Sequence, residues 1–370
     1  MRTLFVHVGG PKSGSTLLQH HFALARDVLL EGGVDYPRRG DGWGTANSMG
    51  NVPDLHRNLQ ALAETVDLAD PRAAHGVLLS SELLFRTYGD DPAAMPALTT
   101  AARALGFGRV KLILAVRDPL DLAPSVWQQW VRGVRHIADP LDEWTAEVFP
   151  DPRIAADLLA RAADMPGLEI DVFNFSRWRG QAPLRVFRAL ELDAATAGRA
   201  AETAVAAAGE ARAVNSSLSS GECAFLLGWN GVTPKDWGHL RPYPFLAAVP
   251  HRITRPRRPS RAAQQAALQR LAPALDALDA ALPPEERLSR DLREGDEGPQ
   301  IHELTDDQLA ELGRLAGRRA AELAAARDEA LAEAAALRRR IAQLEPAARR
   351  HDRLRDAVPA PLRRLLRFAR

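Results

Sequence analysis

Thr3-Leu4-Phe5-Val6-His7-Val8-Gly9-Gly10-Pro11-Lys12-Ser13-Gly14-Ser15-Thr16 carries the signals that decide the fold class. Residues 4–8 are a short β-rich apolar run, Gly9-Gly10-Pro11 ends it, and Thr16-Leu17-Leu18 opens a helical pattern that reaches about Leu30. The order is strand, tight loop, helix. Further apolar runs at 77–81, 110–116 and 168–175 alternate with helix-length segments at 97–105 and 120–131. Strands alternating with helices predict a central parallel sheet covered on both faces, a three-layer α/β core.

The loop between the first strand and the first helix predicts an anion site. A helix that starts after small residues offers unpaired backbone N–H groups and the positive end of its dipole. A kinase-type loop would read Gly-x-x-x-x-Gly-Lys-Ser/Thr. Here Gly9 and Gly14 keep the glycine spacing, Ser15 occupies the lysine position, and the lysine stands at Lys12. That displacement argues against an ATPase or kinase, whose lysine reaches the β- and γ-phosphates.

Pro11-Lys12-Ser13-Gly14-Ser15-Thr16 resembles the phosphosulfate loop of the sulfotransferases that use 3′-phosphoadenosine 5′-phosphosulfate (PAPS). The resemblance implies their P-loop-like fold and a role for each residue. Lys12 would contact the oxygen bridging phosphate and sulfate and stabilise charge as the S–O bond breaks. Pro11, Ser13, Gly14, Ser15 and Thr16 would hold the 5′-phosphate. A second match lies far along the chain: the run 110–116 leads into Arg117-Asp118-Pro119, and Ser125 stands eight residues after the arginine. In the family such an Arg and Ser grip the cofactor's 3′-phosphate, a group well suited to a guanidinium fork. Read without the family, Arg117 could equally pair with a carboxylate and Ser125 could be a surface helix residue. Basic residues from a late loop often join them in relatives, and Arg255–Arg258 is a candidate by charge alone. The similarity reaches about Trp229.

Attack by an acceptor hydroxyl or amine requires a base. Val77-Leu-Leu-Ser-Ser-Glu82 reads as a core strand that delivers a carboxylate to the same rim as Lys12 and Arg117, so Glu82 is the first choice. The same residue could instead simply favour the start of a helix by its charge, with Ser80 or Ser81 as cap. Histidine is the family's other base, which keeps His7, His20, His21 and His56 in view. No residue cluster has metal-ligand spacing, and activity is expected in EDTA.

Composition bounds the remaining functions. The chain has 370 residues, a formal charge of +1 and one cysteine, Cys223; nucleic-acid binding is not expected, internal disulfides are excluded, and a reducing, cytoplasmic location is the expectation. No apolar run approaches the ~20 residues a spanning helix needs. Four segments are expected: a core over 1–233, a Pro/Arg-rich cover over 234–300, a long helix over 301–346 and a basic tail over 347–370. Within the third, Thr305-Asp306-Asp307-Gln308 reads as a capping box. Leu309, Ala316, Leu323, Ala330, Leu337 and Leu344 recur every seven residues, but three residues after a seam position stand Arg319 and Glu333. A weak coiled coil, giving a homo-oligomer, and a solvated single helix are both consistent with that pattern. The tail sets Leu362, Leu365, Leu366 and Ala369 on one face among arginines, which suits peripheral contact with the inner membrane. Similar text in bacterial surface-polysaccharide enzymes suggests a glycan or lipid-linked glycan acceptor, a small molecule being the other acceptor class expected, and the tail could equally be a charged terminal helix that keeps the chain soluble. Two rival functions are a kinase with a variant P-loop and a non-catalytic scaffold in polysaccharide assembly.

Overall fold

The first strand, β1 (Thr3–Val8), is buried along its whole length and lies at the centre of the sheet. In the computed structural model the strand order is β2-β3-β1-β4-β5, with β2 (Val34–Asp35), β3 (Gly76–Ser81), β4 (Arg109–Val116) and β5 (Leu168–Asn174). Every pairing is parallel. Val8 pairs with Ser81 on one side and Leu114 on the other, so β1, β3 and β4 deliver the residues after them to one rim. The residues described are 1–38, 50–52, 55, 58–134, 137–208, 218, 220–232, 257–295 and 306–357. The expectations for His56, Arg255, Thr305, segment 234–256 and the tail beyond 357 fall outside them.

Helices fill both faces. On one lie α1 (Ser15–Leu24), α2 (Arg26–Glu31), α10 (Ala182–Ala189) and α11 (Ala194–Ala208); the other carries α4 (Leu83–Asp90), α5 (Ala94–Ala104) and α8 (Asp151–Ala163). A short α3 (Gln60–Asp67) comes after β2. Beyond β4, α6 (Pro119–Gln129) passes into a π-helical turn (Trp130–Val134), then α7 (Leu141–Glu143) into a second (Trp144–Val148). The remaining helices among the described residues are α9 (Phe175–Trp178), α12 (Ser220–Val232), α13 (Arg261–Ala281) and α14 (Asp306–Ala357). Local chemistry explains several starts. Pro119 takes the first turn of α6, where a missing amide costs nothing. The Ser260 hydroxyl accepts the Ala263 amide at 3.3 Å and caps α13.

The main core lies between the sheet and the first helical layer. Phe5, Leu78, Ile113 and Phe173 from four strands meet Leu18 and Phe22 of α1, Val186 and Phe187 of α10, and the alanine face Ala197, Ala200 and Ala204 of α11. Phe22 packs edge-on to both Tyr36 and Phe187, geometry that aromatic quadrupoles favour. One expected helix over 16–30 is two helices, because the chain turns at Ala25. The turn directs Arg26 to the buried Asp35 carboxylate, at 2.7 and 3.0 Å.

Two compact units are present: Met1–Tyr243 with His251–Glu303, and Pro244–Pro250 with Leu304–Arg370. Thus the described part of the Pro/Arg-rich segment belongs to the same unit as the sheet. A buried carboxylate fastens it there. Glu286 accepts from the Asn174 amide (3.1 Å), the Trp178 indole (2.7 Å) and Arg185 (3.4 Å). Glu286→Ala strands those donors and is expected to cost about 3 kcal/mol, read as a lower urea midpoint with unchanged slope; an unmoved midpoint would contradict the fastening role. In the second unit, α14 runs through Pro346 to Ala357, past the boundary expected at 346. Proline there removes one amide donor without ending the helix.

Candidate active site

Between β1 and α1 the chain makes a turn that only particular residues allow. Gly14 has φ +80°, and a Cβ there would lie 2.2 Å from the Phe175 ring. A Cβ on Gly9 would meet the Ser15 hydroxyl at 2.6 Å. Lys12 itself has φ +56°, a left-handed conformation that costs a side chain about 1–3 kcal/mol and persists only where surroundings hold it. One such hold is visible: the Arg117 guanidinium donates to the Lys12 carbonyl at 3.1 Å. The Ser15 hydroxyl donates to the Gly10 carbonyl at 3.2 Å. In α1 the Leu18 amide donates to the Gly14 carbonyl at 2.9 Å. The amides of Ser15, Thr16 and Leu17 therefore stand without intrahelical acceptors, as at any helix start.

Lys12, Glu82 and Arg117 come after β1, β3 and β4 respectively, on the rim where ligands of open α/β sheets bind. They act on one another. Burial pushes the Lys12 ammonium below the usual lysine range, Arg132 and Arg117 push the same way, and Glu82 opposes them. Burial pushes the Glu82 carboxyl upward, against a hydrogen bond from Thr16 and the charge of Lys12. The Thr16 hydroxyl donates to Glu82 at 3.3 Å. Glu82 occupies the residue before α4 but makes no side-chain cap there. Its carboxylate faces the loop.

The histidines are placed differently. His7 is fully buried, holds Ser80 at 2.8 Å through Nδ1 and is pushed by burial down to about 4, so it is neutral at ordinary pH. Ser80 also accepts from Gln19 at 3.1 Å. His21, on α1, is pushed to about 4 by burial and by His20.

Beyond Arg117 opens a cavity of about 490 Å³ lined by Arg117, Ser125, Gln128, Arg179, Arg257, Arg258 and Arg293, with Leu120, Asp121 and Pro124 completing the wall. Among the described residues its lining holds five arginines and one carboxylate, Asp121, which lies 3.8 Å from Arg293. Burial and Arg179 both push the Arg117 guanidinium down, and its Nε is buried without a hydrogen-bond partner among the described residues. Such a cluster is costly unless an anion joins it. The cavity contains the pair expected from sequence, Arg117 and Ser125. It also contains Arg257 and Arg258, candidates by charge alone, and Arg179 and Arg293, which no sequence pattern marks. Arg293 comes from an irregular stretch after α13 and Arg179 from the end of α9, so only the tertiary fold unites them.

Among the described residues, no group of three or more His, Cys, Asp or Glu side chains is placed to hold a metal, and no described helix is long and apolar enough to cross a membrane. No protein-family model, curated protein or solved structure matches the chain.

Proposed function

We propose that this protein is a sulfotransferase of P-loop-like fold that transfers the sulfuryl group of PAPS to a hydroxyl or amine. The observation that carries the reading is the placement of Arg117. Its guanidinium touches the carbonyl of Lys12 while lining a cavity with four other arginines and Ser125, so two anion sites adjoin. A nucleotide phosphorylated at both 5′ and 3′ positions needs two such sites. ATP, with one phosphate chain, leaves the second without purpose.

The donor supplies an activated S–O bond, and the chain's residues do the rest. The amides at the start of α1 hold the 5′-phosphate, and Arg117, Ser125, Arg257 and Arg258 hold the 3′-phosphate. Lys12, desolvated by burial, would stabilise the charge that accumulates on the bridging oxygen as the bond to sulfur breaks. Glu82 takes the proton that the acceptor loses as its new bond to sulfur forms. The products are a sulfated acceptor and 3′-phosphoadenosine 5′-phosphate, with one proton released. A glycan or lipid acceptor and contact of the basic tail with a membrane belong to the same proposal, and loss of liposome binding on deleting residues after 346 tests the tail.

A base must be ionised, and Glu82 has its pKa raised above the ordinary value of 4.5. Activity should therefore fall with decreasing pH along a limb displaced upward from the usual carboxylate range. Glu82→Gln should cut the rate by about 10²-fold, abolish that limb and leave nucleotide affinity nearly unchanged. An unaltered rate profile in the variant would remove Glu82 from the base role. Labelled PAPS incubated with fractionated cell extract identifies the acceptor.

A further inference from the structure

The helix α14 presents an apolar stripe that its own unit leaves open. Leu323, Leu331, Leu337, Ile341 and Leu344 are between 51% and 61% exposed. The residues spaced by seven, Ala316, Leu323, Ala330, Leu337 and Leu344, form one line of a seam. Its second line lies four residues after each of these, not three. Arg327, Ala334 and Ile341 occupy it, so the charged residues Arg319 and Glu333 fall beside the seam and not in it. In heptad terms the first line is d, the second is a, Arg319, Glu333 and Arg340 are g, and Arg338 and Glu345 are e. The d line spans 316–344, four heptads, a length at which such a pattern supports a coiled coil.

We infer that a second copy of this chain covers this stripe, with the two α14 helices antiparallel and centred between Ala334 and Leu337. Side-chain volume chooses the direction. Antiparallel coils pair a with d′, which sets Ala334 against Leu337′, Ala330 against Ile341′ and Arg327 against Leu344′. Each apolar layer then joins a large residue to a small one, and the helix spacing stays even. A parallel pair would stack alanine on alanine at 330 and 334, large on large at 337, 341 and 344, and Arg327 on its own copy. Charge does not set the direction: antiparallel helices bring g to g′ and pair Glu333 with Arg340′ twice by symmetry, whereas a parallel pair would bring g to the following e′ and pair Glu333 with Arg338′ and Arg340 with Glu345′. The inference does not depend on the sulfotransferase reading.

Light scattering on the full chain should give a dimer, and the double change Leu337→Asp with Ile341→Asp should give a monomer with unchanged helix content. Glu333→Arg should weaken the dimer about tenfold, and adding Arg340→Glu should restore it. Direction is read by oxidative cross-linking, since the only native cysteine, Cys223, is buried. Mixed Arg327→Cys and Leu344→Cys chains should cross-link to each other, and neither should cross-link to itself. A monomeric wild type, or a self-cross-linked Leu344→Cys chain, overturns the inference.

Discussion

Lys12→Ala is expected to lower turnover by about 10²–10³-fold, the loss found when one preorganised donor to a developing anion is removed. The effect should sit in kcat, because the charge that Lys12 answers grows only as the S–O bond breaks. The fold should survive. Lys12 already holds a left-handed conformation that alanine tolerates no worse, and the Arg117 bond goes to its backbone carbonyl, which the substitution keeps. The measurement is single-turnover transfer from PAPS beside a thermal melt. Wild-type turnover with an unchanged melt would contradict the role given to the lysine.

Arg117→Ala should have the other large effect, and on a different quantity. Truncating a buried, charge-paired guanidinium costs about 2–5 kcal/mol of binding; calorimetry should show affinity for 3′-phosphoadenosine 5′-phosphate down by at least about 30-fold. Turnover should fall as well, since the same guanidinium steadies the loop that carries Lys12. Ser125→Ala serves as the contrast. Its hydroxyl donates to the Asp121 carbonyl within α6, at 3.4 Å, so its loss should weaken the nucleotide modestly and leave kcat alone. Equal affinity in wild type and Arg117→Ala would detach the cavity from the nucleotide.

Four of the five strands are legible because each carries a short apolar run bounded by turn or helix signals, and the charged residues just past β1, β3 and β4 announce the rim. β2 is not, since Val34–Asp35 is too short to carry any period. The turn at Ala25 is hidden for another reason. No glycine or proline marks it, and the ion pair that follows it joins Arg26 of α2 to Asp35 of β2, which no helical period announces. Lys12, Glu82 and Arg117 can be found because strand ends point to them, whereas Arg179 reaches the cavity from the end of α9 and Arg293 from an irregular stretch, and the local text of both suggests only solvent. Glu286 carries the same lesson. In Pro283-Pro284-Glu285-Glu286-Arg287 it reads as a surface residue, yet its carboxylate is buried against β5 and α9. Burial of a charge is decided by partners more than a hundred residues away. The exposed apolar stripe of α14 differs, since its period is local and only the choice between a three- and a four-residue interval obscures it.

The central claim is that one groove holds both phosphates of a 3′,5′-phosphorylated adenosine. Ligands that bind only the folded state raise Tm in proportion to the logarithm of saturation. A thermal melt with 3′-phosphoadenosine 5′-phosphate, adenosine 5′-phosphate and Mg-ATP in parallel therefore tests it directly. The account predicts a large shift with the first, a small one with the second, and loss of the difference in Arg117→Ala. A shift with Mg-ATP alone, or equal shifts with and without the 3′-phosphate, would contradict it.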